Sequence, residues 1–328
     1  MATTLDTNFR QELSERRGRL ESAIDSGDSS AQLGRLLQEV DAALGRLDAG
    51  TFGVCDVCHD SVEIDRLLGD PLTRTCLDHL SAAERRALEQ DLDLAARLQS
   101  SLLPKQDLAA GGFQAAYHYE PASTVSGDYC DVVPPEDGRD GLYFLLGDVS
   151  GKGVAASMLM ASLRGTVRTL IGTDLPVNGL VERANRLFCE SVAASHFATL
   201  VCGRASKAGR IEVCNAGHCP PLIVRGGKVE PLQATGLPVG LFCASEYTVT
   251  EAQLAPGDLM LLYTDGLTEA SDGGGSEYGD ERLTRVVRDR HALPPRDLIR
   301  ACLADLAAFR GRSPKSDDLT LLAIRRIS

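Results

Sequence analysis

Aspartates at the ends of apolar segments are the residues of this sequence best suited to chemistry. Asp128 follows a Ser-Gly pair, and Asp148 ends the apolar run 142–147. Asp265 ends another apolar run, and Asp317 comes just before a further one. Converging carboxylates repel one another unless a cation neutralises them, and all-oxygen ligation suits hard ions such as Mg²⁺ or Mn²⁺. One such aspartate is more typical of a turn, but four beside predicted strands indicate a divalent-metal site.

Three cysteines and a histidine form a second candidate metal site. Cys55 and Cys58 form a Cys-x-x-Cys pair, and Cys76 and His79 form a Cys-x-x-His pair further along the chain. Two such pairs can close a tetrahedral site, and thiolate and imidazole ligands favour zinc. Four protein ligands leave no open position, so we predict one structural Zn²⁺. The alternative is that these residues are unrelated and belong to a small core.

Composition and charge exclude several classes of protein. The chain has 328 residues and a net charge of -12, and acidic residues outnumber basic ones on both sides of Pro104. Direct binding to nucleic-acid phosphates is therefore disfavoured. No apolar run approaches the ~20 residues of a membrane span, and the N-terminus has no apolar signal core. We therefore expect a cytoplasmic protein that does not bind a membrane.

The N-terminal third divides into three predicted segments. Residues 1–50 predict a helical hairpin, because leucines recur at helical spacing beside a turn-rich break at 25–30. Residues 51–80 contain the four zinc-ligand candidates. Residues 81–104 predict a connecting helix, for which Ser81 and Glu84 have the spacing of a capping box.

The remaining residues, 105–328, mix strand and helix patterns. Strands come in groups rather than in strict alternation with helices, which favours an α+β fold over a doubly wound sheet. The predicted strands include 142–148, 198–203, 211–217, 258–266 and 319–325, and the predicted helices are 153–171, 178–192, 281–290 and 296–309.

The candidate zinc segment resembles the TraR/DksA zinc-finger family. In that family a helix leads into an aromatic-Gly-x-Cys-x-x-Cys turn, followed by a segment that contains isoleucine and an Arg-Leu pair, and then by a second ligand pair. The matching residues here are Phe52, Gly53, Ile64, Arg66 and Leu67, with the four zinc-ligand candidates. His79 stands where the family usually has a cysteine. The resemblance implies either contact with RNA polymerase through the hairpin or a regulatory or dimerising module.

The second part of the chain resembles the metal-dependent protein phosphatase (PPM) superfamily, in the bacterial branch typified by stage II sporulation protein E and RsbU. The resemblance runs from about Leu94 to Arg325. It rests on the segments VSGDYCD, LGDVSGKGVAASMLMASLR, CNAGHCPPLIV, LLYTDGLTEA and DDLTLLAIR, which occur in family order. It implies a PPM-type β-sandwich of two antiparallel sheets flanked by helices, with two metal ions at one end. We therefore predict a phosphatase domain at residues 105–328.

The resemblance also implies roles for individual residues. Asp128 and Asp148 would bind two Mn²⁺ or Mg²⁺ ions, with Asp148 bridging both. The Val149 backbone carbonyl would be a further ligand, and Asp265 would complete the cluster with Asp317 or its neighbour Asp318. The two metals would activate a water that attacks phosphorus, so that no nucleophilic side chain is needed.

The connecting helix carries one apolar stripe, formed by Leu88, Leu92, Ala95, Leu98 and Leu102. In the resembling family this segment links a sensory module to the phosphatase and can pair with a second copy. The stripe therefore predicts either a homodimer or a helix docked on its own catalytic domain.

These observations predict a protein serine/threonine phosphatase controlled by an N-terminal zinc module. The resemblance implies a phosphorylated protein substrate, namely a STAS-type anti-sigma-factor antagonist in a partner-switching pathway. The rival hypothesis is a protein that binds the transcription machinery through its hairpin and keeps the phosphatase fold as an inactive scaffold. An inactive copy should have lost some of the four aspartates, and all four are present.

Overall fold

The computed structural model describes residues 4–25, 31–134, 141–173, 175–191 and 196–328. The chain forms two compact units, Met1–Asp91 and Leu92–Ser328. The boundary between the units falls inside the predicted connecting helix, and the limits of the four predicted segments stay predictions. Among the described residues, no helix is both long enough and apolar enough to cross a membrane.

Two long helices begin the first unit. They are α1 (Thr4–Asp25) and α2 (Ala31–Ala49), and residues 26–30 of the predicted break lie outside the described residues. Arg17 of α1 forms an ion pair with Asp41 of α2 at 2.7 Å. The buried residues of their shared core are Leu13, Val40 and Ala43. The leucine spacing that predicted a hairpin therefore reflects one apolar face on each helix.

Two short elements and another long helix follow α2. They are α3 (Ile64–Gly69), a 3-10 turn (Leu77–His79) and α4 (Ala82–Leu102). The predicted capping box of α4 is present: the Ser81 N–H donates to Glu84 Oε2 at 2.9 Å, and the Glu84 N–H donates to Ser81 Oγ at 3.2 Å. These bonds satisfy backbone donors that the first helical turn would otherwise leave unpaired.

The packed face of α4 differs from the predicted leucine stripe. Leu98 is 60% exposed and Leu88 is 43% exposed, whereas the polar Gln99 is only 6% exposed. Gln99 is buried because its amide hydrogen-bonds to backbone, and hydrophobic periodicity alone does not reveal such a contact.

The second unit contains two antiparallel sheets within the described residues. The strands are β1 (Leu108–Ala110), β2 (Phe113–Glu120), β3 (Asp128–Val133), β4 (Leu142–Val149), β5 (Ala198–Ala205), β6 (Arg210–Ala216), β7 (Leu222–Arg225), β8 (Lys228–Pro231), β9 (Thr250–Gln253), β10 (Leu259–Tyr263) and β11 (Leu319–Arg326). One sheet has the order β1-β2-β11-β10-β7-β8, and the other has the order β3-β4-β5-β6-β9.

Helices cover the outer faces of both sheets. They are α5 (Gly153–Ile171), α6 (Val177–Ser191), α7 (Asp265–Thr268), α8 (Asp280–Asp289) and α9 (Pro295–Arg310). One apolar core lies between α5, α6 and the five-stranded sheet, and another lies between α7–α9 and the six-stranded sheet. A central core joins the two sheets. The predicted α+β sandwich flanked by helices is confirmed.

The central strands are apolar on both faces because both faces are covered. In β10, Leu259 and Leu261 belong to the core beneath the helices, whereas Met260 and Leu262 belong to the core between the sheets. This explains why the sequence shows continuous apolar runs instead of alternation. The aspartates that end two of these runs, Asp148 and Asp265, therefore lie at an end of the sandwich.

Candidate active site and metal centres

Asp128 and Asp148 are direct partners in the antiparallel β3–β4 ladder. Asp128 begins β3, and Asp148 is the next-to-last residue of β4. Directly opposed residues lie on the same face of an antiparallel pair. The two carboxylates therefore come from neighbouring strands to the same end of the five-stranded sheet.

Asp265 and Asp317 approach this end from the six-stranded sheet. Asp265 begins α7 just after β10, and Asp317 lies just before β11. The Thr264 N–H donates to the Thr320 carbonyl at 3.0 Å, so the β10–β11 pairing continues beyond the end of β10. The structure thus brings the four predicted aspartates to one end of the sandwich.

Two threonines that the sequence analysis missed join the sheets at this end. The Thr264 hydroxyl donates to Asp128 Oδ2 at 3.1 Å, and the Thr320 hydroxyl donates to the same oxygen. Both threonines are fully buried. The sequence signal is weak: each is a polar residue in largely apolar surroundings, Thr264 next to Asp265 and Thr320 two residues after Asp318. The two threonines bind Oδ2 of Asp128, and neither of them binds its Oδ1.

The carboxylates make this end of the sandwich electrostatically unfavourable. Burial, followed by the charge of Asp148, raises the pKa of Asp128 well above its usual range. Burial and then the charges of Asp265 and Asp317 raise the pKa of Asp148 to about 7. Lys152 opposes this repulsion, because its Nζ lies 3.1 Å from Asp317 Oδ2. One lysine does not balance four carboxylates, and a divalent cation would stabilise them.

The geometry separates the tasks of Asp317 and Asp318. Both carboxylate oxygens of Asp318 accept backbone hydrogen bonds, from Ala122 N–H at 2.7 Å and from Gly127 N–H at 2.9 Å. Asp318 therefore holds the loop that precedes Asp128. The Asp317 side chain is 40% exposed beside Lys152. This difference favours Asp317 as the metal ligand of the pair.

Gly127 lies against the predicted carbonyl ligand. A Cβ atom at Gly127 would lie 2.8 Å from the Val149 carbonyl oxygen and 3.3 Å from Asp148 Oδ1. The Val149 N–H also donates to the Gly127 carbonyl at 3.2 Å. Only glycine fits this close approach of two backbone segments without displacement.

His218 contacts a residue of β5 next to the aspartate site. Its Nδ1 lies 2.7 Å from Thr199 Oγ1, and Thr199 is the ladder partner of Asp148. The Asn215 side chain bonds both the backbone N–H and the carbonyl of His218. Burial lowers the pKa of His218 to about 4, so the ring is neutral at pH 7. A neutral ring held in this way orients Thr199 and carries no charge to the site.

The four zinc-ligand candidates converge in the first unit. Among the described residues, Cys55, Cys58, Cys76 and His79 are the one group of three or more whose ligand atoms all lie within 4.8 Å of one another. The aspartates are more widely spread. Cys58 Sγ lies 3.7 Å from Cys76 Sγ, and Cys76 Sγ lies 3.2 Å from His79 Nδ1. Tetrahedral bonds of about 2.3 Å to sulfur and 2.0 Å to nitrogen give comparable separations.

Backbone donors favour the thiolate form of Cys55. The Cys76 N–H points at Cys55 Sγ, 3.4 Å away. Backbone hydrogen bonds from Cys58 and Cys76 lower the pKa of Cys55 to about 6. A thiolate is the form that binds a metal. The donor set and the geometry therefore fit zinc.

The first unit has a partial match among known proteins. The RNA polymerase-binding transcription factor DksA of Haemophilus influenzae is 36% identical over 52 residues, which is 16% of this chain and 36% of DksA. This match agrees with the resemblance of the cysteine segment to the TraR/DksA family.

The second unit has the fold of known phosphatase domains. The SiaA-PP2C domain of Pseudomonas aeruginosa superposes with a TM-score of 0.65 at 22% identity, covering 74% of this chain and 98% of that domain. RsbX in complex with magnesium superposes with a TM-score of 0.52 at 14% identity, covering 67% of this chain and 98% of RsbX. At such identities these likenesses show the fold.

Sequence comparison identifies the family. IcfG of Synechocystis is 27% identical over 72% of this chain. The match covers only 41% of the length of IcfG. Phosphoserine phosphatase RsbU of Bacillus subtilis is 23% identical over 74% of this chain and 72% of RsbU. The family model for Stage II sporulation protein E (SpoIIE) matches residues 138–327, more than half of the chain. The chain therefore belongs to the SpoIIE family, as its motifs predicted.

Proposed function

We propose that this chain is a metal-dependent protein serine/threonine phosphatase that hydrolyses phosphoserine or phosphothreonine. The observation that carries the proposal is the convergence of Asp128, Asp148, Asp265 and Asp317 at one end of a SpoIIE-family sandwich. The name of the relative RsbU, a phosphoserine phosphatase, supports the reaction class.

The donor set fits two Mn²⁺ or Mg²⁺ ions. All the side-chain donors are carboxylates, and the Val149 carbonyl would add another oxygen, as hard divalent cations require. Asp148 would bridge the two ions. The raised pKa of Asp128 and of Asp148 reflects a repulsion that bound cations would relieve. The solved RsbX complex contains magnesium and supports the same metal class here.

When bound, the metal pair supplies an activated water and stabilises charge on the phosphoryl oxygens. The chain's own residues prepare the site for this chemistry. The Thr264 and Thr320 hydroxyls hold the Asp128 carboxylate in one orientation. Lys152 has a side chain that is 62% exposed next to Asp317. It can therefore attract the phosphate dianion of a substrate.

A cysteine nucleophile is not favoured. Cys130, two residues from Asp128, is fully buried, and burial raises the pKa of its thiol well above the usual range. A buried thiol cannot approach a protein-bound phosphate, and its thiolate is scarce at pH 7. This argues against a phosphoenzyme intermediate on Cys130.

We further propose that the substrate is a phosphorylated, STAS-type anti-sigma-factor antagonist. The similarity to RsbU and to RsbP, two phosphoserine phosphatases of Bacillus subtilis, supports this choice. The first unit, with its structural Zn²⁺, would control the activity. Leu88 and Leu98 remain exposed on α4 and would pair with a second copy in a homodimer. A cytoplasmic location stays a prediction.

The test is hydrolysis of para-nitrophenyl phosphate and of a phosphoserine peptide by the full chain and by residues 92–328. Each is assayed with Mn²⁺, with Ca²⁺ and with EDTA. We expect turnover with Mn²⁺ that EDTA abolishes, and different rates for the two proteins if the first unit exerts control. Turnover that persists in EDTA would refute metal-dependent hydrolysis.

One observation favours a second function. A 52-residue match to DksA agrees with the resemblance of the zinc segment to the TraR/DksA family, so the first unit could bind RNA polymerase while the second serves as a scaffold. Co-purification of RNA polymerase with a chain that hydrolyses neither substrate in Mn²⁺ would support this alternative. The four intact aspartates argue against it.

A further inference from the structure

The end of the loop before Asp128 is buried but has no strand partner, whereas residues 122–124 of the same loop are exposed. Residues 121–127 lie between β2 and β3, and Val125 and Ser126 are 2% and 1% exposed. Buried backbone N–H and carbonyl groups need hydrogen-bond partners. Side chains from elsewhere in the second unit supply them.

Gln99 of α4 binds both backbone groups of Ser126. Its Nε2 donates to the Ser126 carbonyl at 2.7 Å, and its Oε1 accepts from the Ser126 N–H at 3.0 Å. The amide thus pairs with Ser126 as a neighbouring strand would. Glutamine suits this task because its side chain carries both a donor and an acceptor. Glutamate would keep the acceptor but lose the donor.

Ser126 in turn contacts the aspartate site. Its Oγ accepts from the Asp128 N–H at 2.9 Å. Gly127, the next residue, accepts from the Val149 N–H at 3.2 Å and lies against the Val149 carbonyl. A shift of Ser126 therefore displaces Asp128 and the carbonyl proposed as a metal ligand. Asp318 fixes the same loop from the other sheet.

We propose that Gln99 is a positioning residue that couples α4 to the aspartate site. Its amide sets the backbone of Ser126, and Ser126 sets Asp128 relative to Val149. A movement of α4 that withdraws the Gln99 amide would loosen the loop and weaken metal binding. This inference rests on the proposed phosphatase function and names the contact through which α4 would regulate it.

The test compares Gln99→Glu with Gln90→Glu in the full chain. Gln90 is an exposed residue of the same helix, so the control makes the same chemical change without a buried contact. Mn²⁺ affinity is measured by calorimetry, and kcat and KM are measured with para-nitrophenyl phosphate. An unpaired buried carbonyl and a misplaced carboxylate should weaken Mn²⁺ binding about ten- to hundredfold and lower kcat more than KM changes. Gln90→Glu should match the wild type.

Hydrogen exchange separates positioning from a general loss of structure. We expect the amides of Ser126 and Asp128 to exchange faster in Gln99→Glu, while strands β5 and β6 keep wild-type protection. If Gln99→Glu does not fold, Gln99→Met, which keeps a similar volume without the amide, decides the question. Wild-type protection at Ser126 together with wild-type Mn²⁺ affinity would overturn the inference. A wild-type chain that binds Mn²⁺ without turnover would instead count against the proposed function, and the exchange and affinity differences would still test Gln99.

Discussion

Replacing Gly127 by alanine tests the close approach of two backbone segments at the site. A Cβ there would lie 2.8 Å from the Val149 carbonyl oxygen, whereas ordinary carbon–oxygen contacts are about 3.3–3.6 Å. The obstacle is backbone within the β4–β5 ladder, so no side-chain rotation relieves it. Overpacking of this kind costs about 1–3 kcal/mol. Gly127 does not adopt a positive φ, so the lower chain entropy of unfolded alanine offsets only about 0.4–1 kcal/mol.

The net expectation for Gly127→Ala is a loss of about 1–2 kcal/mol of unfolding free energy. Urea denaturation of the metal-free protein measures this loss, and calorimetry measures the accompanying fall in Mn²⁺ affinity. Gly165→Ala is the matched control, because Gly165 is exposed in α5 and a Cβ added there would meet no atom within 4 Å outside the helix's own backbone. That substitution should stabilise the chain by about 0.5–1 kcal/mol. Equal or greater stability of Gly127→Ala, with unchanged Mn²⁺ affinity, would refute the argument.

Three further substitutions test other parts of the structure. Cys55→Ser should release zinc and destabilise the first unit by several kcal/mol, and full zinc content by elemental analysis would exclude the site. Cys189 and Cys243 form a disulfide that closes a loop with a sequence separation of 54. Cys243→Ser should therefore lower the unfolding free energy by up to ~4 kcal/mol in oxidising buffer and by much less with a reductant; the same loss in both buffers would contradict this. Asp318→Asn should cost about 1–3 kcal/mol by placing an amide donor against backbone N–H groups, and a wild-type urea midpoint would argue against its loop-holding role.

Local patterns predicted the elements that lie in the cores. The helix predicted at 153–171 has the same limits as α5, and the strand predicted at 319–325 is one residue shorter than β11. These elements carry long apolar runs or stripes, because layers cover them on both sides or along one face. The strands β7, β8 and β9 were not predicted. Each has four residues, too few to show a period.

The contacts that organise the site were not predictable in the same way. The Thr320 hydroxyl and Asp128 are 192 residues apart in sequence, and Gln99 and Ser126 are 27 apart. Periodicity describes which face of an element is apolar, and it does not reveal that the polar Gln99 is buried. The motif aspartates were found because each lies beside a predicted strand, within a segment that resembles the phosphatase superfamily. The residues that support them are distant in sequence, so their contacts follow only from the packing of the folded chain.

Asp148→Asn tests most directly whether the aspartates bind a catalytic pair of metal ions. Phosphoserine-peptide hydrolysis is measured for the wild type and the variant over a range of Mn²⁺ concentrations, and circular dichroism confirms that both are folded. Asp148 is proposed to bridge the ions, so its loss should remove several kcal/mol of transition-state stabilisation and lower kcat by about a thousandfold. We expect Mn²⁺-dependent turnover in the wild type and a kcat about a thousandfold lower in the folded variant. Wild-type turnover by Asp148→Asn would contradict it.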